Sequence, residues 1–257
     1  MDSKRPEAAS SLEYRTKLVA RPEASWRLTL YPDAGEAGGV FRSSANGPAS
    51  RGLSPESDAG ADAARRARGK LRRYCAANRL NRLGTLTFAG AGCHDEVALR
   101  GNLGRFFRRL RGELGGRLPY AWVPEWHKGG HGLHAHFAVG RYVARAMIVR
   151  SWPHGFVHIT LLGRLPVGSG ALGEARLAAR YLSKYLGKDL DTAGVPGLHR
   201  YEVAQGFQPR TVTITAATVE EVLDRAAIAM GGQPEHIWRS SEHEDWEGPP
   251  ALWASWA

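Results

Sequence analysis

The chain has 257 residues, 43% of them hydrophobic, enough for one sizeable core or two small ones. Its 35 Lys and Arg against 25 Asp and Glu leave a formal charge of +10, which favours a polyanionic partner, nucleic acid first among them. Cys75 and Cys93 are far apart, which excludes a disulfide framework or a C-x-x-C zinc site; no apolar leader or long apolar run occurs, so a cytoplasmic protein without a membrane span is expected.

Residues 1–60 are rich in Pro, Gly, Ser and Ala, and read as a loose N-terminal arm in which only Trp26–Tyr31 (WRLTLY) has strand character. From Ala61 the chain turns helical and strongly basic, with Arg65, Arg66, Arg68, Lys70, Arg72 and Arg73 as a phosphate-contacting surface. Leu83–Phe88 is a buried strand. The helix predicted over Asp95–Leu114 has Leu103, Phe106, Phe107, Leu110 and Leu114 on its core face, and Arg105, Arg108 and Arg109 as exposed DNA-binding candidates. Tyr120–His127 and Leu133–Val139 flank the turn Lys128-Gly129-Gly130 and read as an antiparallel hairpin, with Lys128 at its tip as a further DNA contact; Pro124 argues for an edge or a bulge. A short helix over Ala144–Trp152 and a strand over Phe156–Leu162 follow. A helix over Ala171–Leu186, a strand over Thr211–Thr215 and a helix over Val219–Met230 complete the body. The tail carries Trp238, Trp246, Trp253 and Trp256, which should dock back onto the body rather than stand in water. The order of strands and helices implies an α+β fold: a mostly antiparallel central sheet with helices on one face.

Two patterns carry chemistry. On a strand, alternate residues share a face, so His134 and His136 point together and can hold one divalent ion. Glu125, across the glycine turn, is the natural third ligand, ahead of His127 and His131. Two imidazoles and a carboxylate leave open positions on a metal, which suits polarisation of a phosphoryl oxygen. On a helix, Tyr181, Lys184, Tyr185 and Lys188 stand at i, i+3, i+4 and i+7, so two phenols and two ammonium groups share a stripe. A phenol is a weak nucleophile at neutral pH, and a nearby cation favours its phenolate.

Together these patterns resemble the HUH endonuclease superfamily. In that family a histidine–hydrophobic–histidine strand holds a magnesium or manganese ion, and a helical tyrosine cuts single-stranded DNA. Thr85-Leu86-Thr87-Phe88 is similar to the family's first motif, His134-Ala135-His136 to its second and Tyr181-Leu182-Ser183-Lys184-Tyr185 to its third. The tyrosines follow the histidines, as in replication initiators rather than relaxases, and their pairing resembles the two-tyrosine initiators. From about Arg72 to Arg210 the chain resembles the rolling-circle replication initiators of actinobacterial plasmids and integrating elements, notably in VPEWHKGGHGLHAHF and HRYEVAQGFQPR.

The resemblance implies an HUH/RRM-like core in an endonuclease domain over 61–231, followed by a Trp-rich tail over 232–257. It implies nicking and joining at an origin, single-stranded or hairpin, through a 5′-phosphotyrosine. Mg2+ or Mn2+ would sit on His134, His136 and Glu125. Tyr181 would attack first and Tyr185 second, with Lys184 balancing charge at the phosphate and Lys188 following the backbone. No G-x-x-x-x-G-K-[ST] occurs, so a host helicase and a host DNA polymerase are the expected partners. A transposase of the same superfamily, or an origin-binding protein without activity, are the rival readings.

Overall fold

The structure, a computed structural model, describes residues 24–43, 58–160, 170–186 and 201–257. In chain order its elements are β1 (Ala24–Tyr31), β2 (Glu36–Ser43), α1 (Asp58–Ala77), β3 (Arg82–Phe88), α2 (Glu96–Glu113), β4 (Tyr120–Trp126) and β5 (Leu133–Val139). There follow α3 (Arg145–Ser151), β6 (Gly155–Thr160), α4 (Gly170–Ser183), β7 (Glu202–Val203), β8 (Val212–Ala216), α5 (Val219–Met230), β9 (His236–Arg239) and β10 (Ala251–Ser255). Among the described residues, no helix is long and apolar enough to cross a membrane.

The strands form two antiparallel five-stranded sheets, and the fold is α+β as the alternation of elements implies. One has the order β6-β3-β5-β4-β7 and contains the histidine strand; the other has the order β8-β1-β2-β10-β9. Pro124 lies in β4 beyond the reach of β7, which pairs only with Ala121 and Trp122. Its missing N–H therefore leaves no gap in a ladder.

The histidine-bearing sheet is covered on both faces, where the sequence suggested one. The reason is visible in β3: Leu83 and Leu86 point to opposite sides and both are buried. Leu86, Ala135 and Phe137 pack with Leu99, Leu103, Phe106, Phe107 and Leu110 of α2 and with Ile148 of α3. Each such fully buried apolar side chain stabilises by roughly 1.5–3 kcal/mol. Leu83, Val123 and Ala138 face the other way, onto Leu71, Tyr74 and Cys75 of α1 and Ala178, Ala179 and Leu182 of α4. The helix α2 starts where the Asp95 side chain accepts a hydrogen bond from the Val97 N–H at 2.8 Å. Two glycines are required by close approach. A Cβ on Gly84 would stand 2.5 Å from the Phe137 ring, and Gly132 (φ +78°) enters β5 with its α-carbon against the Cys93 carbonyl.

The second sheet was largely unforeseen. The stretch expected as a loose arm contains the β1–β2 hairpin, and the tail supplies β9 and β10. Leu28, Leu30, Leu252, Ala254 and Trp256 form its core with Val222 and Ala226 of α5. Trp256 does dock, donating its indole N–H to the Gly232 carbonyl at 2.8 Å. Polar contacts tie this sheet to the helices over the first. Arg72 of α1 donates twice to Glu36, at 2.9 and 2.8 Å, and Arg176 of α4 donates to the carbonyls of Ala34, Gly35 and Trp256.

Candidate active site

The register of the first sheet builds the site in two rows. Phe156, Thr87, His134 and Glu125 lie abreast on β6, β3, β5 and β4; His158, Thr85, His136 and Val123 form the next row. Side chains directly opposite one another share a face, so all eight look toward α1 and α4. Glu125 is opposite His134 in register, yet its carboxylate reaches diagonally to His136 Nε2 at 2.7 Å.

Both imidazoles are anchored at their other nitrogen. The Thr85 hydroxyl meets His136 Nδ1 at 2.9 Å and the Thr87 hydroxyl meets His134 Nδ1 at 3.1 Å. The T-x-T of β3 thus matches the H-x-H of β5 by parity, and each hydroxyl orients one ring. His136 is buried, at 6% exposure, and His134 is half-buried. The Nε2 of His134 is buried without a hydrogen-bond partner. Burial, aided by neighbouring His127 and His136, pushes the His134 pKa down, against the opposing pull of Glu125. The ring is therefore neutral at pH 7, the form that offers a lone pair.

The carboxyl end of α4 brings the phenols over this surface. The Tyr185 ring stacks on His136, with centroids 3.9 Å apart and planes at 10°. Tyr181 meets His136 edge-on at 6.0 Å and Tyr185 at 5.5 Å. The helix ends at Ser183, and the N–H groups of Lys184 and Tyr185 donate to the Tyr181 and Leu182 carbonyls, a tightened last turn. Tyr185 is held in its protonated form by burial and by a hydrogen bond with Tyr181, which push its pKa well above the ordinary phenol range. The Lys184 ammonium stands 5.8 Å from the centre of the Tyr181 ring.

The residues expected to act together are partly united. His134, His136, Glu125, Tyr181, Lys184 and Tyr185 converge on one face of the sheet. Lys128 is exposed at the β4–β5 turn. Arg105, Arg108 and Arg109 are exposed on α2, which covers the opposite face, so they do not line this site. Lys188 lies outside the described residues. Sequence reasoning passed over Thr85 and Thr87 as partners of the histidines, and it missed His158 and the 68%-exposed Phe156 beside them. Their strand parity with His134 and His136 was the available signal. His127 stacks on His134, with centroids 4.7 Å apart, so it borders the site although it ranks below Glu125.

For a metal ion the donor chemistry fits: two imidazoles, one with an orphaned buried Nε2, and a carboxylate within one hydrogen bond. As they stand, however, no three His, Cys, Asp or Glu side chains among the described residues are grouped so as to hold one.

Residues 81–190, somewhat under half of the chain, match the model of a family described as replication-associated protein ORF2. That stretch runs from β3 through α4 and so contains both histidines and both tyrosines. The similarity supports a replication-associated role. No curated protein and no solved structure matches the chain.

Proposed function

We propose that this chain nicks and rejoins single-stranded or hairpin DNA at a rolling-circle replication origin, using a tyrosine nucleophile. The observation that carries the reading is the placement of two phenols directly over the His134–His136 face, within a stretch similar to replication-associated proteins. Attack by a tyrosine oxygen forms one P–O bond as the bond to the 3′ oxygen breaks. The phenol proton is released and the departing 3′ oxygen takes one up. One phosphodiester-like bond is exchanged for another, so rejoining is the same reaction reversed.

The side chains divide the labour. Tyr185 donates its hydroxyl proton toward Tyr181, which leaves the Tyr181 oxygen the acceptor and eases its ionisation. Tyr181 is therefore the first nucleophile, assisted by the Lys184 ammonium beside its ring. Tyr185, protonated and stacked on His136, is held for the second transfer. Thr85 and Thr87 fix the imidazole orientations. His134, His136 and Glu125 would hold a magnesium or manganese ion, with Glu125 exchanging its bond to His136 for the ion. When bound, the ion would neutralise charge on the scissile phosphate. A host helicase and polymerase would then extend the freed 3′ end.

The test is cleavage of a labelled origin oligonucleotide with added Mn2+. Wild-type protein should cut, and His134→Ala/His136→Ala protein should not. Undiminished cutting by wild type in EDTA refutes the metal assignment.

A further inference from the structure

Helix α4 has a second functional edge. Tyr181 and Tyr185 occupy one side of it; Arg176, Arg180 and Ser183, at i, i+4 and i+7, occupy another, with buried Ala175, Ala179 and Leu182 on the face between them. The arginine side borders a concavity of about 450 Å³ between α1, α4 and the second sheet. Arg68 and Arg72 enter it from α1, Arg176 and Arg180 from α4, and Trp253 from β10.

The charges there do not cancel. The carboxylate in the concavity belongs to Glu36, which is 2% exposed and has both oxygens taken by Arg72. Arg176 is committed to three backbone carbonyls. Arg72 and Arg176 are thus structural, and they fix the walls. Arg68 and Arg180 are exposed, and neither has an ion-pair partner among the described residues. Four guanidinium groups against one carboxylate in one concavity is an unfavourable arrangement unless an anion enters.

We propose that this concavity is a second DNA contact, in which Arg68 and Arg180 clamp a backbone phosphate of the single strand whose scissile phosphate lies at the tyrosines. The reading of a DNA-acting protein is used here only to choose a nucleic-acid strand over other phosphates. The shape supports the same choice. The site is open, and Arg65 continues the line of Arg68 and Arg72 along α1 at i, i+3 and i+7 spacing, so the cations form a row suited to a polymer. The second sheet then has a role: it closes a groove that carries the strand past α4.

The test measures binding of a fluorescent single-stranded oligonucleotide to the full chain in EDTA across a salt series. Arg68→Gln/Arg180→Gln should bind about tenfold more weakly at low salt, and its log Kd against log salt slope should fall by about 1.4, as expected for two lost phosphate contacts. Arg68→Lys/Arg180→Lys, which keeps the charge, should stay close to wild type. An unchanged slope and affinity in the Gln variant overturns the proposal. So does displacement of the strand by pyrophosphate as effectively as by unlabelled oligonucleotide, which would mark a small-anion site. If wild type shows the Arg68- and Arg180-dependent slope yet never forms a covalent adduct, the groove stands and the nicking reading falls. If wild type nicks while the Gln variant binds normally, the reverse holds.

Discussion

Replacing Thr85 by Val keeps the shape of the side chain and removes one hydroxyl, the partner of His136 Nδ1 at 2.9 Å. His136 is 6% exposed, so water cannot take the hydroxyl's place. Leaving that nitrogen unpaired should cost about 1–3 kcal/mol of stability. The equivalent Thr87→Val change frees His134 Nδ1, but His134 is only half-buried, and solvent can compensate; about 0.5–1.5 kcal/mol is expected. Both changes also release an imidazole from its fixed orientation. For a ligand to a metal, loss of such a supporting partner typically weakens affinity about 10–100-fold. Urea denaturation of the free protein gives the first quantity, and the Mn2+ concentration for half-maximal nicking gives the second. Thr85→Ser should restore both. If Thr85→Val protein matches wild type in stability and in Mn2+ requirement, the hydroxyl does not hold the ring. If Thr87→Val costs more than Thr85→Val, the burial argument is wrong.

The His134 pKa lies below its ordinary value, so its sign can be stated: the unfolded chain takes up its proton first as pH falls. The stabilisation is fully present above about pH 6.5 and is lost as pH drops through the folded value. Thermal melts in metal-free buffer should therefore fall between pH 7 and 5 more steeply for wild type than for His134→Gln; parallel curves would contradict this. Gly84→Ala drives a methyl to within 2.5 Å of the Phe137 ring in the middle of the histidine-bearing sheet, and should destabilise by about 1–3 kcal/mol in urea melts. A neutral effect would mean that Phe137 can move aside freely.

Much of the first sheet was legible because its strands carry period-two patterns long enough to read: LHAHFAV shows two histidines on one face and a buried set on the other. The helices α2 and α5 were equally plain from apolar spacing and caps. The second sheet was not, for a physical reason. EAGGVFRS of β2 has two central glycines and no apolar alternation, and it is held by β1 on one side and by β10, from the far end of the chain, on the other. Such pairing is a tertiary effect that local propensity does not encode. Within the site, the shared face of His134 and His136 followed from strand parity, whereas the Thr85–His136 and Thr87–His134 bonds depend on register between strands separated by a helix and a hairpin. The stacking of Tyr185 on His136 depends on where α4 stops, at Ser183 rather than Leu186. Placing α2 on the far side of the sheet likewise needed the two-faced burial of β3, which removes Arg105, Arg108 and Arg109 from the tyrosine face.

The central claim is a covalent bond between a tyrosine and the 5′ phosphate of a cut strand. Wild-type protein can be incubated with an origin oligonucleotide and Mn2+, digested, and its peptides sequenced by mass spectrometry. The account predicts a nucleotide-bearing peptide with the modification on Tyr181, transferred to Tyr185 in Tyr181→Phe protein and absent from the double Phe variant. An adduct that survives in the double variant, or one on a residue outside the carboxyl end of α4, would contradict it.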